Sequence, residues 1–186
     1  MSGLLIIIAV LVVLAMWVMG KYNGIIVRKN KRDQSFADID VSLKQRFDMI
    51  PQLIETVKGY MKHEKETLEN LTKARTSFLN AQNIGDKVAA DNMLAGALKS
   101  IFAVAENYPN LKASENFQQL QVAIEEIENK LATARKFFNE MTTQYNTYIQ
   151  MFPTSFVAGI FGFKTEKLFE TSESRAELEK APEVKF

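Results

Sequence analysis

Seven polar residues interrupt otherwise apolar helical patterns at inward or flanking positions: Arg46, Glu64, Arg75, Glu106, Glu128, Arg135 and Asn139. Gathered in one place, they have the types for a buried acid/base or ligand-binding cluster. The same types also make interhelical ion pairs and hydrogen bonds that fix register. The structural role is preferred, because helical bundles use such pairs routinely. A run of carboxylates, "EEIE" at 125–128, raises metal binding. Di-metal bundles, however, place a Glu-x-x-His pair on facing helices. His63, the one histidine, has Tyr60 three residues before it, and between Lys62 and Glu64 it reads as a solvated residue. The absence of cysteine excludes thiol catalysis, disulfides, thiolate metal sites and cysteine acylation. No Gly-rich phosphate loop, His-Glu-x-x-His pair or nucleophile motif is found. The expectation is therefore no enzyme, with no catalytic, cofactor-binding or metal-ligating residues.

The elements that must position these residues begin with an anchor. Residues 2–20, "SGLLIIIAVLVVLAMWVMG", carry no charge, and about 20 apolar residues at ~1.5 Å each cross a hydrocarbon core of roughly 30 Å. No basic side chain precedes the run, and Trp17, Met19, Lys21 and Tyr22 close it, so a cleaved signal peptide fits poorly. Residues 1–21 are read as a transmembrane anchor and 22–35 as a basic juxtamembrane segment. Lys21, Arg28, Lys29, Lys31 and Arg32 precede the first acid, Asp33. That asymmetry predicts a single-pass inner-membrane protein with its N-terminus outside and its body in the cytoplasm. It also assigns those five residues to lipid head groups, at about 1 kcal/mol per contact, or to a plain stop signal for insertion. The totals, 23 basic and 22 acidic residues, give no reason to expect nucleic acid.

Eight glycines and four prolines in 186 residues imply long helices with short connections. The predicted fold is all-α: the anchor, then an antiparallel bundle of three long helices over 36–170 with a short C-terminal element, then a flexible tail at 171–186. A seven-residue repeat runs from Phe36 through Leu43, Ile50, Val57, Glu64, Leu71 and Phe78. Its companion runs from Ile39 through Arg46, Leu53, Tyr60, Thr67 and Ala74. Only Glu64, Arg46 and Thr67 break the pattern. Because the register passes Pro51 unchanged, one helix is expected over 36–80, although an interior proline costs roughly 3 kcal/mol. Pro51 falls on the outward face, where it bends the helix around its core.

In "NIGDK" at 83–87, Gly85 is expected to end that helix and Asp86 to cap a second, at 86–107. Ser114 caps a third, over 114–152, with Phe117, Leu120, Ile124, Ile127, Leu131, Phe138 and Tyr145 in unbroken heptad spacing. The middle helix is too short to cover its neighbours. Two remedies are expected together: "YPNLKA" at 108–113 runs extended for up to ~20 Å, plugging in Tyr108 and Leu111, and other copies cover the remainder. After Pro153, "TSFVAGIFGF" (154–163) has half the length of a span. It reads, in descending order of preference, as a return element on the bundle, a self-association patch or a membrane-dipping segment. Phe156, Ile160, Phe161 and Phe163 are the expected contacts between copies.

Assembled, these stretches resemble the LemA family of bacterial membrane proteins over roughly residues 22–170. The resemblance rests on "YN" at 22–23, "DIDVSLKQRFDMIPQLIETVKGYMKHE" at 38–64, "AENYPNLKASENFQQLQ" at 105–121, "ENKLATARKFFNEMTTQYN" at 128–146 and "FP" at 152–153. It implies an antiparallel helical bundle behind an N-terminal span and brings no enzymatic chemistry. One branch of the family is associated with forming membrane-bound bacterial organelles. Two functions are then expected. The first is a homo-oligomer that self-assembles at the membrane and organises or remodels it. The alternative is an adaptor or signalling module that presents its bundle to another membrane protein.

Overall fold

The apolar N-terminal run does not end at a linker. In the computed structural model, which describes residues 2–61 and 64–169, helix α1 spans Ser2–Asp48 without interruption. The expected anchor, basic segment and first part of the bundle are one helix. The chain continues through α2 (Ile50–Lys58), α3 (Lys65–Leu79), α4 (Ile84–Ala105), α5 (Pro109–Lys112), α6 (Glu115–Gln150) and α7 (Thr154–Ile160). The described residues are helices and connections, with no strand. His63 and the tail at 171–186 lie outside the described residues.

The single helix expected over 36–80 is instead divided in two places. Pro51 cannot donate to the carbonyl four residues back. Helix α1 therefore closes with Met49 N–H on the Arg46 carbonyl (3.3 Å), and α2 restarts with Leu53 N–H on the Met49 carbonyl (3.0 Å). Pro51 is exposed, and Phe47, Ile50, Leu53, Val57 and Met61 all remain buried across it. The proline thus sits in the first turn of a new helix, where its missing donor is tolerated. The second division is larger: α2 is capped at Gly59, and α3 begins after Glu64. Glu64 and Thr67, two of the three misfits in the heptad, mark this break.

Two connections also depart from expectation. Helix α4 is capped by Asn83 rather than Asp86: the Asn83 side chain, on extended backbone, accepts the Asp86 N–H at 2.9 Å. Asp86 occupies the first turn, where a carboxylate suits the helix dipole, and Gly85 lies inside the helix. The segment at 108–113 coils into α5 instead of running extended, because Pro109 pre-sets the first-turn backbone. Leu111 still plugs the core, fully buried, with Tyr108 half-buried beside it.

The described residues divide into two compact units: those of 2–39 with 133–168, and those of 40–132 with Phe169. In the first, Gly24 meets Tyr148 while Phe36 meets Phe138 edge-on at 5.6 Å, so the α1 and α6 segments run in opposite directions. Ile25, Tyr145, Ile149, Val157 and Ala158 form its core. The end of the third helix, which sequence reasoning left without a cover, is thus covered by residues of α1 assigned to the basic segment. In the second unit, α3 lies along α4. Leu53, Val57, Leu71, Leu94, Ile101 and Ile124 are among its buried side chains, and Phe47 stacks on Phe78 at 4.1 Å.

Candidate functional site

Two places gather chemistry-bearing side chains, one in each unit. In the second unit the Arg46 guanidinium, 4% exposed, donates to Asp91 at 2.8 Å and pairs with Glu128 at 2.9 Å. Arg46 and Glu128 were expected in a polar network. Asp91, 1% exposed, was not, because α4 is apolar on several sides and one aspartate does not disturb its pattern. The set is a cation held between two anions. It ties together residues of three helices and so fixes their register. A cleft of about 480 Å³ opens beside it, lined by Leu98, Phe102, Ile124 and Glu125 as well as Arg46 and Glu128. Lys87 pairs with Asp40 nearby in the same unit. The other expected network members are not drawn in: Glu64 leads into α3, Arg75 is half-buried on α3, Glu106 is exposed, and Arg135 and Asn139 belong to the first unit. Among the described residues no three His, Asp or Glu side chains converge as a metal site.

In the first unit the site is a foot built around the end of the apolar run. Leu4, Ile7, Leu11, Val13 and Met16 are exposed, and a helix apolar on every side requires an apolar medium. Helix α4 is also long and apolar enough to cross a membrane, but Leu94, Leu98 and Ile101 are buried in its own unit. At the end of the run, Lys21 places its ammonium 5.9 Å over the Trp17 ring. Tyr22 packs against Phe161 (4.8 Å) and Phe163 (5.7 Å). Nearly two turns on, the Arg28 guanidinium lies 3.7 Å over the Tyr148 ring and donates to the Gly24 carbonyl at 3.1 Å. Gly24 is what lets the helices approach: a Cβ there would collide with the Tyr148 hydroxyl and ring.

The five residues assigned to lipid head groups therefore occupy different environments. Lys31 is exposed, and Lys21, Arg28 and Lys29 are half-buried. Arg32 is only 8% exposed. It donates to Asp33 at 2.9 Å, pairs with Glu166 at 3.4 Å and lies over Phe138 at 5.0 Å, so it faces the protein interior. The residues that fasten the chain after α7 were missed by sequence reasoning. Asn146 donates to the Glu166 carbonyl and accepts the Glu166 N–H, both at 2.8 Å. The Tyr145 hydroxyl donates to the Lys164 carbonyl at 3.0 Å. Burial, reinforced by the Glu166 carboxylate, raises the Tyr145 pKa above its ordinary value. The "QYN" at 144–146 was the available signal: a tyrosine and an amide where the helix could have carried aliphatics. The segment at 164–169 is irregular and is held by these bonds.

Of the four residues assigned to contacts between copies, Phe156, Ile160 and Phe161 are exposed, and Phe163 is half-buried on the core of the first unit. Helix α7 turns them by its C-terminus. Gly162, at φ 73°, allows Phe163 N–H to reach the Ala158 carbonyl (2.9 Å) and its own N–H the Gly159 carbonyl (3.3 Å). This is a Schellman cap, which needs a left-handed residue at that point.

Comparison with known proteins adds the following. The family described as the LemA family matches residues 35–186. Magnetosome protein MamQ 2 and magnetosome protein MamQ 1 of Paramagnetospirillum magneticum are each 22% identical over 176 residues, covering 81% of this chain and 65% of theirs. Protein LemA of Metamycoplasma hominis is 26% identical over 160 residues, covering 83% of this chain and 71% of its own. The chain thus spans just under two thirds of the length of the two MamQ relatives.

Proposed function

The chain belongs to the LemA family, and from that premise we propose that it is a non-enzymatic, membrane-anchored protein that self-assembles at a bacterial membrane and organises or remodels it. One observation carries the proposal: the exposed apolar run and the packed body of the first unit share a single helix, Ser2–Asp48. With no linker between them, the tilt of the span and the position of the body are mechanically coupled. An anchor on every copy raises local concentration, so weak lateral contacts become effective. Relatives named as magnetosome proteins support the membrane-organising sense of the reading. The charge asymmetry that favours a cytoplasmic body supports the orientation. Lys21, Lys29 and Lys31 are the residues best placed for anionic head groups. The adaptor reading draws its support from the cleft beside Arg46 and Glu128.

The test is particle size in mild detergent together with vesicle shape after reconstitution of the full-length protein. Homogeneous oligomers and reshaped vesicles are expected. Monomers that leave vesicles unchanged would sink the assembly reading and leave the adaptor. Orientation is read separately, with single cysteines at Ser2 and Glu140 and an impermeant label on intact cells: only the cysteine at position 2 should react.

A further inference from the structure

Helix α7 has apolar side chains on opposite faces. Val157 and Ala158 are buried against Tyr145 and Ile149. On the other side, Phe156 is 71% exposed, Ile160 65% and Phe161 51%, and Phe152 just before the helix is 86% exposed. Apolar side chains exposed together on one turn often mark an interaction surface. No charged residue lies between Glu140 and Lys164, so the whole turn at 151–163 carries no charge.

What covers this face follows from where it is. Phe161 packs on Tyr22 and forms one wall of a groove of about 410 Å³, whose other wall is Leu11, Leu14, Val18 and Met19. Those residues lie within the apolar run at 2–20. Whatever medium bathes that run also fills the groove and reaches Phe161. Trp17 and Tyr22 mark the interfacial level of such a span. At ~1.5 Å per residue, Leu14 lies about 12 Å below Tyr22, comparable to the depth of roughly 5–10 Å at which interfacial helices settle.

We propose that the turn at 151–163 is a wedge inserted into the leaflet at the C-terminal end of the span. Lipid acyl chains fill the groove and cover Phe152, Phe156, Ile160 and Phe161. Continuity with the span favours lipid over a second copy as the occupant. The wedge is a second insertion beside the transmembrane helix and enlarges one leaflet only, which gives each copy a means of bending the membrane. The proposal rests on the membrane reading of the apolar run, and it does not require that copies assemble.

The chain has no cysteine, so single-cysteine variants label cleanly. An environment-sensitive fluorophore is attached to I160C, F156C and, as a control, E140C. The full-length protein is reconstituted into phosphatidylcholine–phosphatidylglycerol vesicles with nitroxides on the upper or the terminal part of the acyl chain. At positions 156 and 160 the expected result is a blue-shifted emission that is lost with upper-chain nitroxides and little affected by terminal ones. E140C should be unaffected by either. Emission at 156 and 160 that matches the control overturns the wedge. A blue shift without quenching, with disulfide-linked dimers forming through unlabelled I160C, assigns the face to a second copy and also overturns it. Protein that fails to float with the vesicles overturns the anchor itself, an outcome separate from either of these.

Discussion

The two units differ in where their apolar and charged side chains lie. The second has an interior of Leu53, Val57, Leu71, Leu94 and Ile101 around one ion set, with Arg46 and Asp91 almost wholly out of solvent. The first has an interior in which Tyr145 bonds the returning chain, Arg28 lies on Tyr148 and Arg32 lies over Phe138. Many of its large apolar side chains, from Leu4 to Met19 and again at Phe152 and Phe156, are outside. Burying oil and exposing charge is the arrangement of a protein in water. Exposing oil beside a belt of aromatic and basic residues is the arrangement of a protein at a lipid boundary. Two regions of one chain thus present different surfaces.

Arginine gives the sharpest way to break that comparison. Arg46→Ala takes the countercharge from the buried Asp91, and breaking a pair of this kind costs about 3–5 kcal/mol. Arg28→Ala removes a half-exposed guanidinium stacked on Tyr148, worth on the order of 1 kcal/mol. Denaturant unfolding of the full-length protein in micelles should separate the two variants clearly. Equal losses would mean that the units do not differ as described.

A smaller effect is expected where the first unit is tightest. Gly24→Leu must push Tyr148 away from its place beneath Arg28. Overpacking of this kind costs ~1–3 kcal/mol, against a helix-propensity gain of about 1 kcal/mol for replacing glycine. The net should be a loss, visible as a lower unfolding midpoint. A variant as stable as the parent would show that α1 and α6 have room to spare there.

The smallest effect concerns Tyr145. Its raised pKa means the folded state holds the hydroxyl proton more firmly than the unfolded chain does. The associated stability is fully present below the ordinary tyrosine value of 10.0 and is lost as pH rises through the folded value. Tyr145→Phe should cost about 1 kcal/mol at neutral pH, from the lost bond to Lys164. It should also flatten the alkaline limb of the stability profile. An unchanged limb would take the Tyr145 hydroxyl out of the fastening of the C-terminal return.

The sequence by itself determined the all-α class, the apolar run, the face of each long helix and the family. The first three follow from local periodicity or length, which the chain carries residue by residue; the family follows from the resemblance of its quoted stretches and from the match over residues 35–186. It also placed Arg46 and Glu128 as polar residues among apolar neighbours. Tertiary structure alone decided where the long helix breaks, because Pro51 and the misfits Glu64 and Thr67 interrupt a heptad without cancelling its register. It decided that Asp91 is the acid Arg46 meets, since a contact between residues 45 positions apart leaves no trace in local spacing. It turned Arg32 inward, because a basic run looks the same from sequence whether its members face water, lipid or Glu166. It also set Phe161 beside Leu14 and Val18: the turn at 151–163 reads only as apolar until the fold brings it to the end of the span.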